Sequence, residues 1–111
     1  MMNDTVFVVA KEFGPFAGPR YKHQGPYSGE TLRPKLLAAL DRIRGMPGVV
    51  IVDLDGMKGI GSSFLDEAFG GLIRSEGVEK DEINARFDYR SRVDPSYIET
   101  IRDSIERARR V

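Results

Sequence analysis

Val49–Ile73 reads VVIVDLDGMKGIGSSFLDEAFGGLI, and this stretch decides the fold. Its opening, Val49 to Leu54, is apolar apart from Asp53 and rich in β-branched side chains. Such a run predicts an interior strand with both faces covered. Asp55-Gly56 and Gly59 then open a loop. From Ser63 to Ser75, the residues Phe64, Leu65, Ala68, Phe69, Leu72 and Ile73 form one apolar stripe, which predicts a helix. Gly70 and Gly71 lie inside it at a propensity cost of up to about 1 kcal/mol each, so something is expected to pack closely against them.

The flanks extend this pattern. Thr5–Ala10, TVFVVA, predicts a first strand. Phe13 to Arg20 is dense in glycine and proline and predicts a loop. Arg20–Gln24 is a candidate short strand before the turn at Gly25-Pro26. Leu32, Leu36, Leu37, Leu40 and Ile43 repeat at helical spacing. Two starts suit that helix: Ser28 as cap, with Pro34 about two turns in, or Thr31 as cap, with Pro34 in the first turn. Gly45 and Pro47 end it. Glu82–Arg90 alternates, with Ile83, Ala85, Phe87 and Tyr89 on one side, and predicts a half-buried strand. Asp94-Pro95 opens a last helix whose inner face is Tyr97, Ile98, Ile101, Ile105 and Ala108. Strands alternating with helices predict one α/β domain over residues 1–111, with about four strands and three main helices packed on the sheet.

Composition narrows the chemistry. Seventeen basic and seventeen acidic side chains cancel, so no global field favours nucleic acid or an anionic membrane. With no cysteine there is no disulfide, thiolate metal site or cysteine nucleophile. His23 is the only histidine. It stands in a Gly/Pro-rich stretch, which argues against a zinc centre and against a Ser-His-Asp triad. Met1–Thr5 carries no basic or long apolar segment, and no apolar run is long enough to cross a bilayer. The expectation is a cytoplasmic protein that needs no metal or cofactor and is not an enzyme. The basic C-terminal end, with Arg102, Arg107, Arg109 and Arg110, suits the helix dipole rather than a nucleic acid.

Residues 49–73 resemble the central strand, loop and helix of STAS domains, the fold of anti-sigma-factor antagonists. The chain is closer still to a STAS-like family of uncharacterised bacterial proteins. Gly18-Pro19-Arg20-Tyr21, Ser28-Gly29-Glu30 with Arg33, and the stretch Ser62 to Gly70 match that family's characteristic segments, over roughly residues 5 to 90. The resemblance implies that the central sheet is mixed and that the domain is a regulatory module that binds another protein. Members are often encoded beside, or fused to, a histidine-kinase-like ATPase, which is the implied partner; a homodimer is also compatible. In STAS antagonists a serine at a helix N-terminus accepts phosphate from a partner kinase. By position Ser62 matches that serine and Ser63 its neighbour. Gly61 stands where the motif has Asp, and Phe64 where it has Gly.

Four site hypotheses follow. Ser62 or Ser63 is a phosphorylation switch, because a helix N-terminus tolerates added phosphate; the alternative is that these serines cap the helix, with Ser63 and Asp66 as a capping box. A partner surface comprises Asp55, Gly56, Lys58, Gly61, Phe64, Asp66 and Glu67. A small-ligand, nucleotide or anion site comprises Arg20, Tyr21, Ser28, Glu30 and Arg33, whose groups suit phosphate or carboxylate; the alternative is a loop held by an Arg–Glu pair. Lastly, Asp53-Leu54-Asp55-Gly56 resembles the Asp-x-Asp-Gly motif of haloacid-dehalogenase-type phosphatases, although it falls mid-chain with little sequence after it.

Overall fold

The computed structural model describes residues 4–110, so Met1–Asn3 of the N-terminal reading and Val111 lie outside the described residues. The chain runs β1 (Thr5–Val8), α1 (Val9–Glu12), a single 3-10 turn (Lys22–Gln24), α2 (Gly29–Ile43) and β2 (Val50–Asp53). A continuous helix over 62–74, here α3, follows, then α4 (Lys80–Arg86), β3 (Phe87–Arg90) and α5 (Ser96–Arg107).

Among the described residues the sheet has three strands in the order β1-β2-β3, all parallel, not about four in a mixed sheet. The candidate strand at Arg20–Gln24 is instead the 3-10 turn, closed by Gln24 N–H donating to the Tyr21 carbonyl and with no strand beside it. β1 stops at Val8 because the Phe13 and Gly14 N–H groups both close on the Val9 carbonyl, winding the chain into α1.

Register puts Phe7, Val52 and Tyr89 in one row, and Thr5, Val50 and Phe87 in the next. On this face Phe7, Val50, Val52 and Phe87 are buried in one core with Leu32, Leu36 and Leu40 of α2, Phe69 and Leu72 of α3, and Ile101 and Ile105 of α5. The opposite face carries Val6, Ile51, Asp53, Asp88 and Arg90, none of them fully buried. The expected cover on both faces of β2 is therefore corrected: its two edges are paired, but only one face lies in the core.

Glu82–Arg90 divides in two. Residues 80–86 are helical and only Phe87–Arg90 is strand. Asp81 and Glu82 in the first turn and Arg86 in the last suit the helix dipole. Arg86 also donates to the carbonyls of Ile43, Met46 and Gly48. That tertiary anchor overrides a local alternation in which only Ile83 is buried within the helix.

α2 begins after Ser28, with Pro34 inside it. The first-turn N–H groups find local acceptors: Gly29 donates to the Pro19 carbonyl, Glu30 to the Arg20 carbonyl, and Thr31 to Ser28 Oγ. Three satisfied donors at a buried start offset the bond lost at Pro34.

α3 contains a π-turn at Asp66–Gly70 between helical turns at Ser62–Leu65 and Gly71–Arg74. Its apolar pairs 64/65, 68/69 and 72/73 recur every four residues. In an ideal α-helix such spacing drifts by about 40° per step. The wider π-turn absorbs the drift, so Phe64, Phe69 and Leu72 all reach the core.

Candidate functional site

Two candidate sites that are separate in sequence form one network. Arg20 Nη1 donates to Asp66 Oδ2 at 2.8 Å and to Glu67 Oε1 at 3.2 Å. Arg33 Nη1 donates to Glu67 Oε2 at 2.8 Å, and Arg33 Nε to Glu76 Oε2 at 3.1 Å. Arg74 Nη2 donates to Asp66 Oδ2 at 3.1 Å and to the Asp66 carbonyl at 3.0 Å. Three guanidinium groups thus face three carboxylates, with no net charge.

Two glycines make room for this network. A Cβ on Gly71 would stand 2.7 Å from Arg33 Nη1, and one on Gly70 would stand 2.8 Å from Arg74 Nη1. The close packing expected at these positions is therefore arginine side chains lying on α3. Gly29 serves the same region differently. Its Cβ would fall 2.4 Å from the Phe64 carbonyl oxygen, so α2 and α3 touch backbone to backbone there.

Burial raises the Asp66 carboxyl pKa, but the hydrogen bond from Arg20 and the charges of Arg74 and Arg20 outweigh it and hold it below the usual range. Glu67 is buried, its side chain 10% exposed. Phe64 is buried in the core. Of the proposed partner surface, Phe64 and Glu67 are thus interior and Asp66 is tied to two arginines. Gly56, Lys58 and Gly61 remain exposed.

The Arg20–Arg33 group is committed to structure in the same way. Both arginines face carboxylates. Ser28 is buried and caps α2, and Glu30 Oε1 accepts from Lys22 N–H at 2.9 Å. The Pro19 and Arg20 carbonyls close the start of α2. Tyr21 is exposed and stacked on His23. These contacts match the ordered loop held by Arg–Glu pairs.

Asp53 and Asp55 also brace loops. Asp53 Oδ1 accepts from Asp55 N–H at 2.9 Å. Asp55 Oδ1 accepts from Arg92 and Val93 N–H at 2.9 and 3.1 Å, and Arg92 Nε approaches its other oxygen at 3.5 Å. Among the described residues no group of three or more His, Asp or Glu is placed to hold a metal ion.

The serines differ from all of these. Gly61, not a serine, is the N-cap of α3, and no side chain caps that end. Ser62 and Ser63 occupy the first two helical positions, exposed, and their hydroxyls bond to no described residue. The Ser63–Asp66 capping box does not form. The loop before them is pinned by Lys58 N–H donating to the Pro15 carbonyl at 2.8 Å. Beside it Phe16, 48% exposed, and Tyr27, 40% exposed, meet edge to face at 5.6 Å, with the Lys58 ammonium 5.7 Å from the Phe16 ring centre. Phe13 joins this cluster to the core through Phe64.

A family model for STAS-like domains of unknown function (DUF4325) matches residues 28–97. The chain belongs to that family. The DUF4325 match holds Ser28, Arg33, Ser62, Ser63, Asp66, Glu67, Arg74 and Glu76, while Arg20 and Tyr21 precede it. No curated protein and no solved structure matches the chain. Among the described residues, no helix is long and apolar enough to cross a membrane.

Arg74, Glu76, Phe16 and Tyr27 were not foreseen as parts of either surface. A faint signal for Arg74 exists: it lies eight residues after Asp66 with Gly70 between, which clears a path along the helix.

Proposed function

We propose that this domain is a regulatory protein-interaction module whose partner docks on the 56–63 loop and the neighbouring Phe16 and Tyr27 rings, and that Ser62 or Ser63 is its switch. The implied partner is a histidine-kinase-like ATPase or a serine kinase. One observation carries this most: two exposed serine hydroxyls without a structural partner stand at the start of a helix whose positions from Phe64 to Ile73 are buried apart from Asp66. The N–H groups of Ser62, Ser63 and Phe64 precede the first helical hydrogen bond, Leu65 to Gly61, so added phosphate meets free donors and the positive end of the dipole. The exposed aromatic pair gives a partner an apolar anchor.

The test is phosphopeptide mass spectrometry after incubation with a histidine-kinase-like ATPase of the kind the resemblance implies, Mg²⁺ and ATP. Phosphate on Ser62 or Ser63, lost in the double alanine variant, supports the switch. An unmodified chain beside a demonstrably active ATPase counts against it.

A further inference from the structure

Among the described residues β1 is a free edge of the sheet. Thr5 N–H donates to the Val49 carbonyl at 2.9 Å, and Thr5 and Phe7 stand opposite Val50 and Val52. Parallel pairing alternates along a strand. The N–H and C=O of Val6 and the N–H of Val8 therefore point away from β2, and no described strand lies on that side. Edge strands are ordinarily blunted by shortness, charge, proline or cover; β1 is four residues long but carries no charge or proline. β1 reads Thr-Val-Phe-Val, and Val6 is 45% exposed.

Alongside this edge, between β1 and α2, lies an open-sided cleft of about 300 Å³ lined by Phe7, Glu12, Pro34, Lys35, Ala38 and Arg42. Lys35, Ala38 and Arg42 share one face of α2. Neither Lys35 nor Arg42 is ion-paired or hydrogen-bonded to a described residue, in contrast to Arg20, Arg33 and Arg74. Seven residues of helix separate the two cations by about 10 Å along the axis. Two side chains on one face of a strand, four residues apart, stand about 13 Å apart, a mismatch that long flexible side chains bridge.

We propose that this edge and cleft bind an extended acidic segment of a partner protein as a fourth strand. Its backbone pairs with Val6 and Val8, carboxylates at positions i and i+4 meet Lys35 and Arg42, and an apolar residue at i+2 rests on Phe7 and Ala38. A second copy of the chain fits less well, because its own β1 carries no carboxylate to meet the two cations.

The probe is the capped peptide Glu-Thr-Val-Thr-Glu, titrated into the ¹⁵N-labelled protein to millimolar concentration. The expected result is saturable shifts confined to β1 and the Lys35–Arg42 face, with slower exchange of the Val6 amide. The K35E/R42E variant, altered only at exposed positions, should bind at least about tenfold more weakly, and the peptide with lysines for glutamates should not bind. The proposal is overturned if shifts are absent or lie elsewhere, or if K35E/R42E binds equally well. It is also overturned if the Val6 amide is already protected without peptide in a concentration-dependent way, which would give the edge to a second copy. None of these outcomes bears on Ser62 or Ser63, so the two proposals stand or fall separately.

Discussion

Replacing Glu67 by methionine removes the acceptor shared by Arg20 and Arg33, at 3.2 and 2.8 Å. The Arg33 side chain is only 11% exposed, so water cannot fully replace the lost partner. Breaking a buried pair from one side costs about 3–5 kcal/mol. The lower end applies here, because Arg20 keeps Asp66 and Arg33 keeps Glu76. A loss of about 3 kcal/mol corresponds to a midpoint drop of roughly 12 °C for a domain of this size. Arg33→Met should cost a similar amount, because the buried Glu67 then keeps only Arg20 at 3.2 Å and the more distant Arg74. The double variant strands neither group and should be less destabilised than the two single losses added together, with a coupling of about 2 kcal/mol. Urea unfolding followed by circular dichroism gives all four stabilities. Strictly additive losses, or a Glu67→Met loss below about 0.5 kcal/mol, would refute the claim that this network holds α2 and α3 together.

Gly29→Ala places a methyl 2.4 Å from the Phe64 carbonyl oxygen; separating α2 from α3 should lower stability by about 1–3 kcal/mol, and an unchanged urea midpoint would show that the two backbones are not in contact. The Tyr89 hydroxyl is buried without a hydrogen-bond partner among the described residues, and burial pushes its pKa up. Tyr89→Phe should therefore raise stability, by about 1 kcal/mol, in the same assay; a loss would mean that the hydroxyl is in fact bonded. Asp66 has a lowered folded pKa, so its contribution is complete above the ordinary value of 3.8 and is lost as pH falls below that value through the folded one. Asp66→Asn should accordingly be less stable near neutrality and show a shallower loss of stability below about pH 4; parallel acid profiles would contradict the assignment.

Much of the frame was legible locally. The β2–loop–α3 unit, the apolar faces of α2 and α5, and the packing on Gly71 all follow from periodicity and residue type. The last helix starts one residue later than the Asp94-Pro95 pair predicts: Pro95 is its N-cap, and Asp94 Oδ1 accepts from Ser96 N–H just ahead of it. Elsewhere the deciding contact lay far along the chain. Arg20, Arg33, Asp66 and Glu67 were each singled out, but the pairs lie 34 to 47 residues apart and no local pattern joins them. The 80–90 segment misled because Ile83, Phe87 and Tyr89 fit an alternating strand, while Arg86 and the pairing of Phe87 with Val50 fix the boundary. The π-turn had a signal in the steps of four along α3 that an amphipathic-helix template absorbs without notice. The serines were read correctly as a helix start, and only the structure shows that Gly61 takes the cap and leaves them free.

The most direct test of the proposed docking face is a calorimetric titration with a histidine-kinase-like ATPase of the kind the resemblance implies as partner. The comparison is between the parent, Lys58→Glu and Ser62→Glu. Both positions are exposed, and a carboxylate at Ser62 suits the start of α3, so folding should hold. Saturable binding by the parent, weakened at least about tenfold in each variant with unchanged thermal midpoints, is the predicted result. Equal binding by all three proteins, or none by the parent, would contradict the assignment of the 56–63 loop as the regulatory surface.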